Sequence, residues 1–451
     1  MTTRHFMTPP QAPRYALRHA TVPASLVAGA PLPAAPDAEG LCAADLLVDD
    51  GRLAAVQAAG TLPAALGPDL RRGMVLPGLV DCHTHLDKGH IWPRRPNPVG
   101  DLPAAAHATG VDRMANWSAE DVRRRMAFGL ATAWAHGVVA IRTHLDSLGP
   151  QARISFPVFR ELRREWAGRI ELQASSIVPL DVFLTDEATA LADIVAESGG
   201  QLGCVTRFRQ QPNVPLPPDF DVAMRRLFRL AAERGLDVDL HVDETGDPEV
   251  HTLARVAWLA RLMRSEGFAG RILCGHCCSL AVQPEAESAA TLRACADAGI
   301  DIVSLPTVNL YLQDRQAGRT PRWRGVTLLH EMRAHGLRVA VAGDNCRDPF
   351  HAYGDHDMLD TFVQAVKIAQ LDRPIGDWIA SACATPADIM GLPDAGRLKV
   401  GAPADLLLLP ARDWSELLSR HQGDRTVLRH GRPIDTTPPD YRELDDLMAA
   451  A

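Results

Sequence analysis

From residue 74 onward, short apolar runs alternate with amphipathic stretches, and that alternation limits the folds open to the chain. The strand-like runs are Val75–Cys82, Val138–His144, Arg169–Val178, Gly203–Phe208, Leu236–His241, Arg271–His276, Ile300–Val308 and Arg338–Asp344. Helix-like segments lie between them. One runs to Gly137 from Ser118, an N-cap with Asp121 three residues on, and others cover Phe220–Gly235, Glu249–Gly267 and Glu285–Gly299. Eight strands alternating with helices predict an α/β fold, a (β/α)8 TIM-type barrel. An open doubly wound sheet fits less well, because no glycine-rich dinucleotide turn follows any strand.

The flanks read differently. Ala44–Val56 is a strand, an Asp-Gly turn and a second strand, and Gly401–Leu409 and Thr426–Arg432 have the same character. The economical expectation is a small β-sandwich domain assembled from both termini. Residues 1–73 and 391–451 (with a tail) would form it, around a barrel over 74–390. A chain of 451 residues has room for both. With 46% hydrophobic and 23% charged residues the composition is that of a globular protein.

A net charge of −8 argues against a nucleic acid as partner. No apolar stretch is long enough to span a bilayer. Prolines interrupt the apolar runs of the first forty residues, so no secretory signal is read there. Nine cysteines, an odd number, suit buried thiols in a reducing cytoplasm better than a disulfide framework.

In a barrel, functional side chains collect at the C-terminal ends of the strands. Asp81-Cys82-His83-Thr84-His85 ends the first run, and alternation on a strand sets His83 and His85 side by side. The fifth run ends in Asp239-Leu240-His241-Val242-Asp243-Glu244, the sixth in Cys274-Gly275-His276, and the eighth in Ala342-Gly343-Asp344-Asn345. Three histidines and one carboxylate can hold a divalent metal and leave a position for water. Any one of these residues could be merely structural; suitable residues at the ends of four strands are harder to dismiss. Glu244, just past the strand end, can do general acid–base work without being a ligand, its plain alternative being a surface ion pair.

Cys274-Gly275-His276-Cys277 matches C-x-x-C, but a redox pair needs a different fold and a zinc knuckle needs a second pair. These cysteines are read as packing. His144 is expected to support or pack beside the site, and Lys88 to be a solvated loop residue, with a cation at the pocket mouth as the sharper alternative.

These residues resemble the amidohydrolase superfamily and, within it, the bacterial cytosine deaminase family, over about residues 44–409. Beyond His83-Thr84-His85 and the fifth-strand motif, the similar segments are Ile141–Asp146, Pro306–Gln313 and Asp344–Phe350. The resemblance implies that His83, His85, His241 and Asp344 bind one zinc or iron, that Glu244 shuttles a proton, and that His276 orients the attacking hydroxide or the intermediate. Lysine is confined to Lys88, Lys367 and Lys399, so no central barrel strand can supply the modified lysine that bridges two metals in hydantoinase-like relatives.

The implied reaction is hydrolytic deamination of a cytosine-like base. Metal-bound hydroxide attacks the amino-bearing ring carbon and ammonia leaves. Two departures bear on the substrate. Asn345 stands where cytosine deaminases carry an acid, and Leu180 where they carry a glutamine; with His276 these are the substrate-binding candidates. Isocytosine, a pterin or an aminotriazine such as ammelide would use the same machinery, and a non-catalytic base-binding barrel would have no use for Glu244. Relatives of this kind commonly form homo-oligomers, an expectation no surface feature of the sequence supplies.

Overall fold

The computed structural model describes residues 6–211 and 214–449. Residues 1–5 and 450–451, which belong to the expected terminal domain, lie outside the described residues, as do 212–213. Eight parallel strands make the barrel: Leu79–Thr84, Val138–Asp146, Glu171–Ile177, Leu202–Val205, Val238–Val242, Ile272–His276, Ile300–Ser304 and Val339–Val341. The first three form one ladder and the other five a second. Isolated parallel bridges, Ser175 to Gln201 and Pro179 to Val205 at one seam and Thr84 to Asp344 at the other, close the ring.

The helices follow from local sequence. Ala119–Ala135 starts where Ser118 accepts a hydrogen bond from the Asp121 amide. Phe220–Arg234 and Glu285–Ala298 end on Gly235 and Gly299, both at φ 64°, the left-handed cap that glycine adopts without a Cβ clash. Further helices follow the strands in chain order at Leu102–Asn116, Ala152–Glu165, Glu187–Glu197, Thr252–Ser265 and Met358–Ala369.

Two of the expected runs divide. Met74–Pro77 is not barrel; it pairs antiparallel with Leu406–Leu409 and parallel with Arg14–Pro23 in a seven-stranded sheet. The barrel strand starts only after Gly78, whose Cβ, if it had one, would stand 2.1 Å from Val139 Cγ1. Ile300–Val308 likewise ends as a strand at Ser304, because Pro306 opens the helix Pro306–Leu312.

The terminal sheet draws on both ends of the chain, in the order Arg432–Pro433, Thr426–Arg429, Leu406–Leu409, Met74–Pro77, Arg14–Pro23, Leu41–Asp49, Arg52–Ala58. A two-stranded pair, Val27–Ala28 with Leu398–Lys399, lies beside it. The hairpin after Asp49 turns on Asp50 and Gly51, both at positive φ, as Asp-Gly predicts. This unit has its own core of Tyr15, Leu17, Leu46, Val75, Leu406 and Leu428. Among the described residues no helix is long and apolar enough to cross a membrane.

Candidate active site

Strand ends bring five of the expected residues together. His83 and His85 leave the first barrel strand, His241 lies in the fifth, His276 ends the sixth and Asp344 follows the eighth; all are buried. His85 Nε2 is 3.3 Å from His241 Nε2 and 3.2 Å from Asp344 Oδ1, and His83 Nε2 is 3.7 Å from that same oxygen. One ligand-capable atom each from His83, His85 and His241 lies within 4.8 Å of the others, and the same holds for His83, His276 and Asp344. Gly275 makes room, since a Cβ there would meet His83 Cε1 at 3.0 Å.

The donor set fits a divalent cation. His83 Nε2 and both Asp344 oxygens are buried without a hydrogen-bond partner among the described residues, an arrangement that is costly unless a cation completes it. Burial, the largest influence, pushes the Asp344 carboxyl well above the usual range. Burial also holds His83, His85 and His241 well below the usual imidazole range, so they are neutral, the form that ligates. Imidazole with one carboxylate suits zinc or iron.

His144 supports this cluster. Its Nε2 stands 3.0 Å from His83 Nδ1, which turns the other nitrogen of His83 toward Asp344. Behind it, Asp239 lies 3.8 Å from His144 Nε2 and accepts from Arg142 at 3.1 Å. Asp243, His276 and Asp344 take φ values of 50°, 69° and 59°, so these strand ends hold strained non-glycine backbone where the polar side chains gather.

Glu244 is a wall residue of the site. Its Oε1 accepts from Asn309 Nδ2 at 3.2 Å and lies 3.5 Å from His276 Nδ1. Asn309 Nδ2 also stands 3.0 Å from His276 Nδ1. An amide nitrogen facing a carboxylate is a donor, so Nδ1 of His276 accepts and its proton sits on Nε2. That Nε2 has no partner among the described residues, and burial keeps the ring neutral. Asn309 lay inside a family-like segment; its signal was a polar side chain in the first turn of the helix after the seventh strand.

A cavity of about 440 Å³ opens over the cluster. His85, His241, Glu244, His276 and Asp344 reach it from one side, and Phe208, Phe350, Pro103 and Ile177 give it apolar walls. A larger neighbouring cavity, about 830 Å³, shares only Asp344 and Asn345 with these polar groups, so the smaller one is where the chemistry converges.

Lys88 is not solvated. It is buried, paired to Asp146 at 2.9 Å, stacked 5.1 Å from the Phe350 ring, and lines the cavity. Burial alone would lower its ammonium, but Asp146 and Asp87 outweigh that and keep it charged. Leu180 is fully buried in the barrel core and does not line the cavity; the backbone there turns Ile177 and Pro179 inward instead. Asn345 does line it, with one amide N–H engaged on Asp348 at 2.7 Å. Cys274 and Cys277 are free and buried, and burial pushes both thiols up.

The amidohydrolase family model matches residues 98–434. Over 448 residues the chain is 54% identical to the pterin deaminase of Rhizobium rhizogenes, covering 99% of each protein. It is 24% identical over 377 residues to N-isopropylammelide isopropyl amidohydrolase of Pseudomonas sp., covering 81% of this chain and 87% of that one. Among solved structures, 5-methylcytosine deaminase from Klebsiella pneumoniae superposes with a TM-score of 0.76 at 23% identity, over 93% of this chain and 97% of the other; that likeness is one of fold.

Proposed function

The chain belongs to the amidohydrolase family, and on that premise we propose that its substrate is a pterin. The protein is a hydrolytic deaminase acting on the C–N bond of an amino-substituted heterocycle. The identity of 54% along the whole chain to a pterin deaminase carries the choice of ring. A cytosine-like base, the first expectation, gives way to the pterin among its alternatives. The cavity agrees, because about 440 Å³ between apolar walls accommodates a fused planar two-ring system.

Amidohydrolase deaminases work with a metal ion, and we assign its ligands as His83, His85, His241 and Asp344, with zinc or iron as the ion. When bound there it lowers the pKa of water from about 16 to roughly 7, which makes a nucleophile available at neutral pH. The chain's own residues do the rest. Glu244 takes a proton from the attacking water and passes it to the ring nitrogen beside the amino-bearing carbon. Asn309 holds that carboxylate and His276 in register. His276 Nε2–H donates to the oxygen that adds to the ring, and the remaining proton of that oxygen passes to the amino group, which leaves as ammonia while the ring carbonyl forms. Nine free, buried cysteines support a reducing, cytoplasmic setting.

Ammonia release from pterin, cytosine, isocytosine, guanine and ammelide tests the substrate. Pterin should exceed each of the others by at least ~10-fold in kcat/KM. A preference for isocytosine or ammelide would rule the pterin assignment out while leaving the deaminase in place.

A further inference from the structure

A second group of metal-type donors lies outside the active site, on the loops that follow the first and eighth barrel strands. His90, Cys346 and His356 each present one ligand-capable atom, all within 4.8 Å of one another. The three are only 2%, 3% and 8% exposed. Both ring nitrogens of His90 and Nε2 of His356 are buried with no hydrogen-bond partner among the described residues. Buried polar atoms are seldom left unpaired, and here they come from residue types that share one chemistry. We propose that His90, Cys346 and His356 bind a structural divalent cation of the zinc class, separate from the ion of the active site.

The surroundings are built for it. The His90 amide donates to the Cys346 carbonyl at 3.0 Å and the Trp92 amide to the Arg347 carbonyl at 2.8 Å, so the two loops are already clamped side by side. His90 and His356 hold φ values of 67° and 50°, a backbone cost for non-glycine residues that fixed ligands would justify. A Cβ on Gly129 would stand 3.0 Å from His356 Nε2, so the helix wall there is kept bare.

Charge balances too. Binding forms a metal–sulfur bond and releases the Cys346 proton to solvent. Asp355 supplies a further negative charge nearby: burial works against it, but bonds from His136 at 3.0 Å and Tyr441 at 2.7 Å hold its carboxyl below the usual range. The larger cavity, which Cys346 and His356 line, can bring water to the fourth position. An ion here would staple the loop carrying Asp344 to the one after His85.

Metal-free protein titrated with Co²⁺ should take up two equivalents per chain, one of them giving a thiolate-to-cobalt charge-transfer band. Cys346→Ser and, independently, His356→Asn should each bind one equivalent and lose that band. Wild-type protein that saturates at one equivalent without the band overturns the proposal, whether or not either variant folds. So does a band that persists in Cys346→Ser.

Discussion

Glu244 sits where its carboxylate is neither free nor neutralised. Asn309 donates to it, the neutral His276 ring lies beside it, and among the described residues no lysine or arginine pairs with it within 4 Å. Replacing it by glutamine keeps the shape and the Asn309 contact but removes the base. Glu244→Gln should therefore lower kcat by about 10²–10⁴-fold with substrate binding largely retained. Unchanged steady-state turnover would assign the proton to another group. The residues whose gathering was legible in the sequence were those whose place follows from position on a strand: His83, His85, His241, His276, Asp344 and Glu244 all stand at or just past strand ends. Lys88 and Asn309 were not legible, because their roles come from partners distant in sequence, Asp146 for one and Glu244 for the other. Leu180 was placed by likeness to a motif, and the structure buries it behind the wall it was expected to form.

At the scale of elements, the passage from terminal sheet to barrel happens at one glycine. Gly78 lies against Val139 with no room for a methyl group, the gap being 2.1 Å. Gly78→Ala should cost about 1–3 kcal/mol in chemical denaturation, and a variant as stable as the wild type would mean that the Val139 side chain moves aside freely. Periodicity could not reveal this junction, since Met74–Thr84 is apolar enough to pass for one strand. The helix Met358–Ala369 is tied to the terminal sheet differently. Asp357 caps it through the Leu359 amide and receives a bidentate bond from Arg425 at 2.9 and 2.6 Å. Burial opposes the Asp357 charge, but Arg425 and His136 outweigh it and bring the carboxyl from 3.8 to about 2. A depressed carboxylate contributes stability above its unfolded pKa and loses it as pH falls through the folded one. About 2 kcal/mol should therefore be lost between pH ~4 and ~2. Urea midpoints measured across that window should fall less steeply in Asp357→Asn; equal slopes would contradict the pairing.

The whole molecule divides its labour: a closed barrel presents the polar cluster at one end, and a sheet drawn from both termini packs on its own core. The barrel was readable because eight runs alternate with helices. The first strand, Arg14–Pro23, was not, because prolines and alanines around it mask its alternation, and it becomes a strand by pairing with Leu41–Asp49 on one side and Met74–Pro77 on the other. What the assembly is for comes down to one reaction, the replacement of a ring amino group by oxygen from water. The direct measurement is mass spectrometry of the product formed from pterin in H₂¹⁸O, with ammonia counted in parallel. One ¹⁸O in the ring carbonyl for each ammonia released is the predicted result; ammonia without label in the product, or pterin returned unchanged, would contradict it.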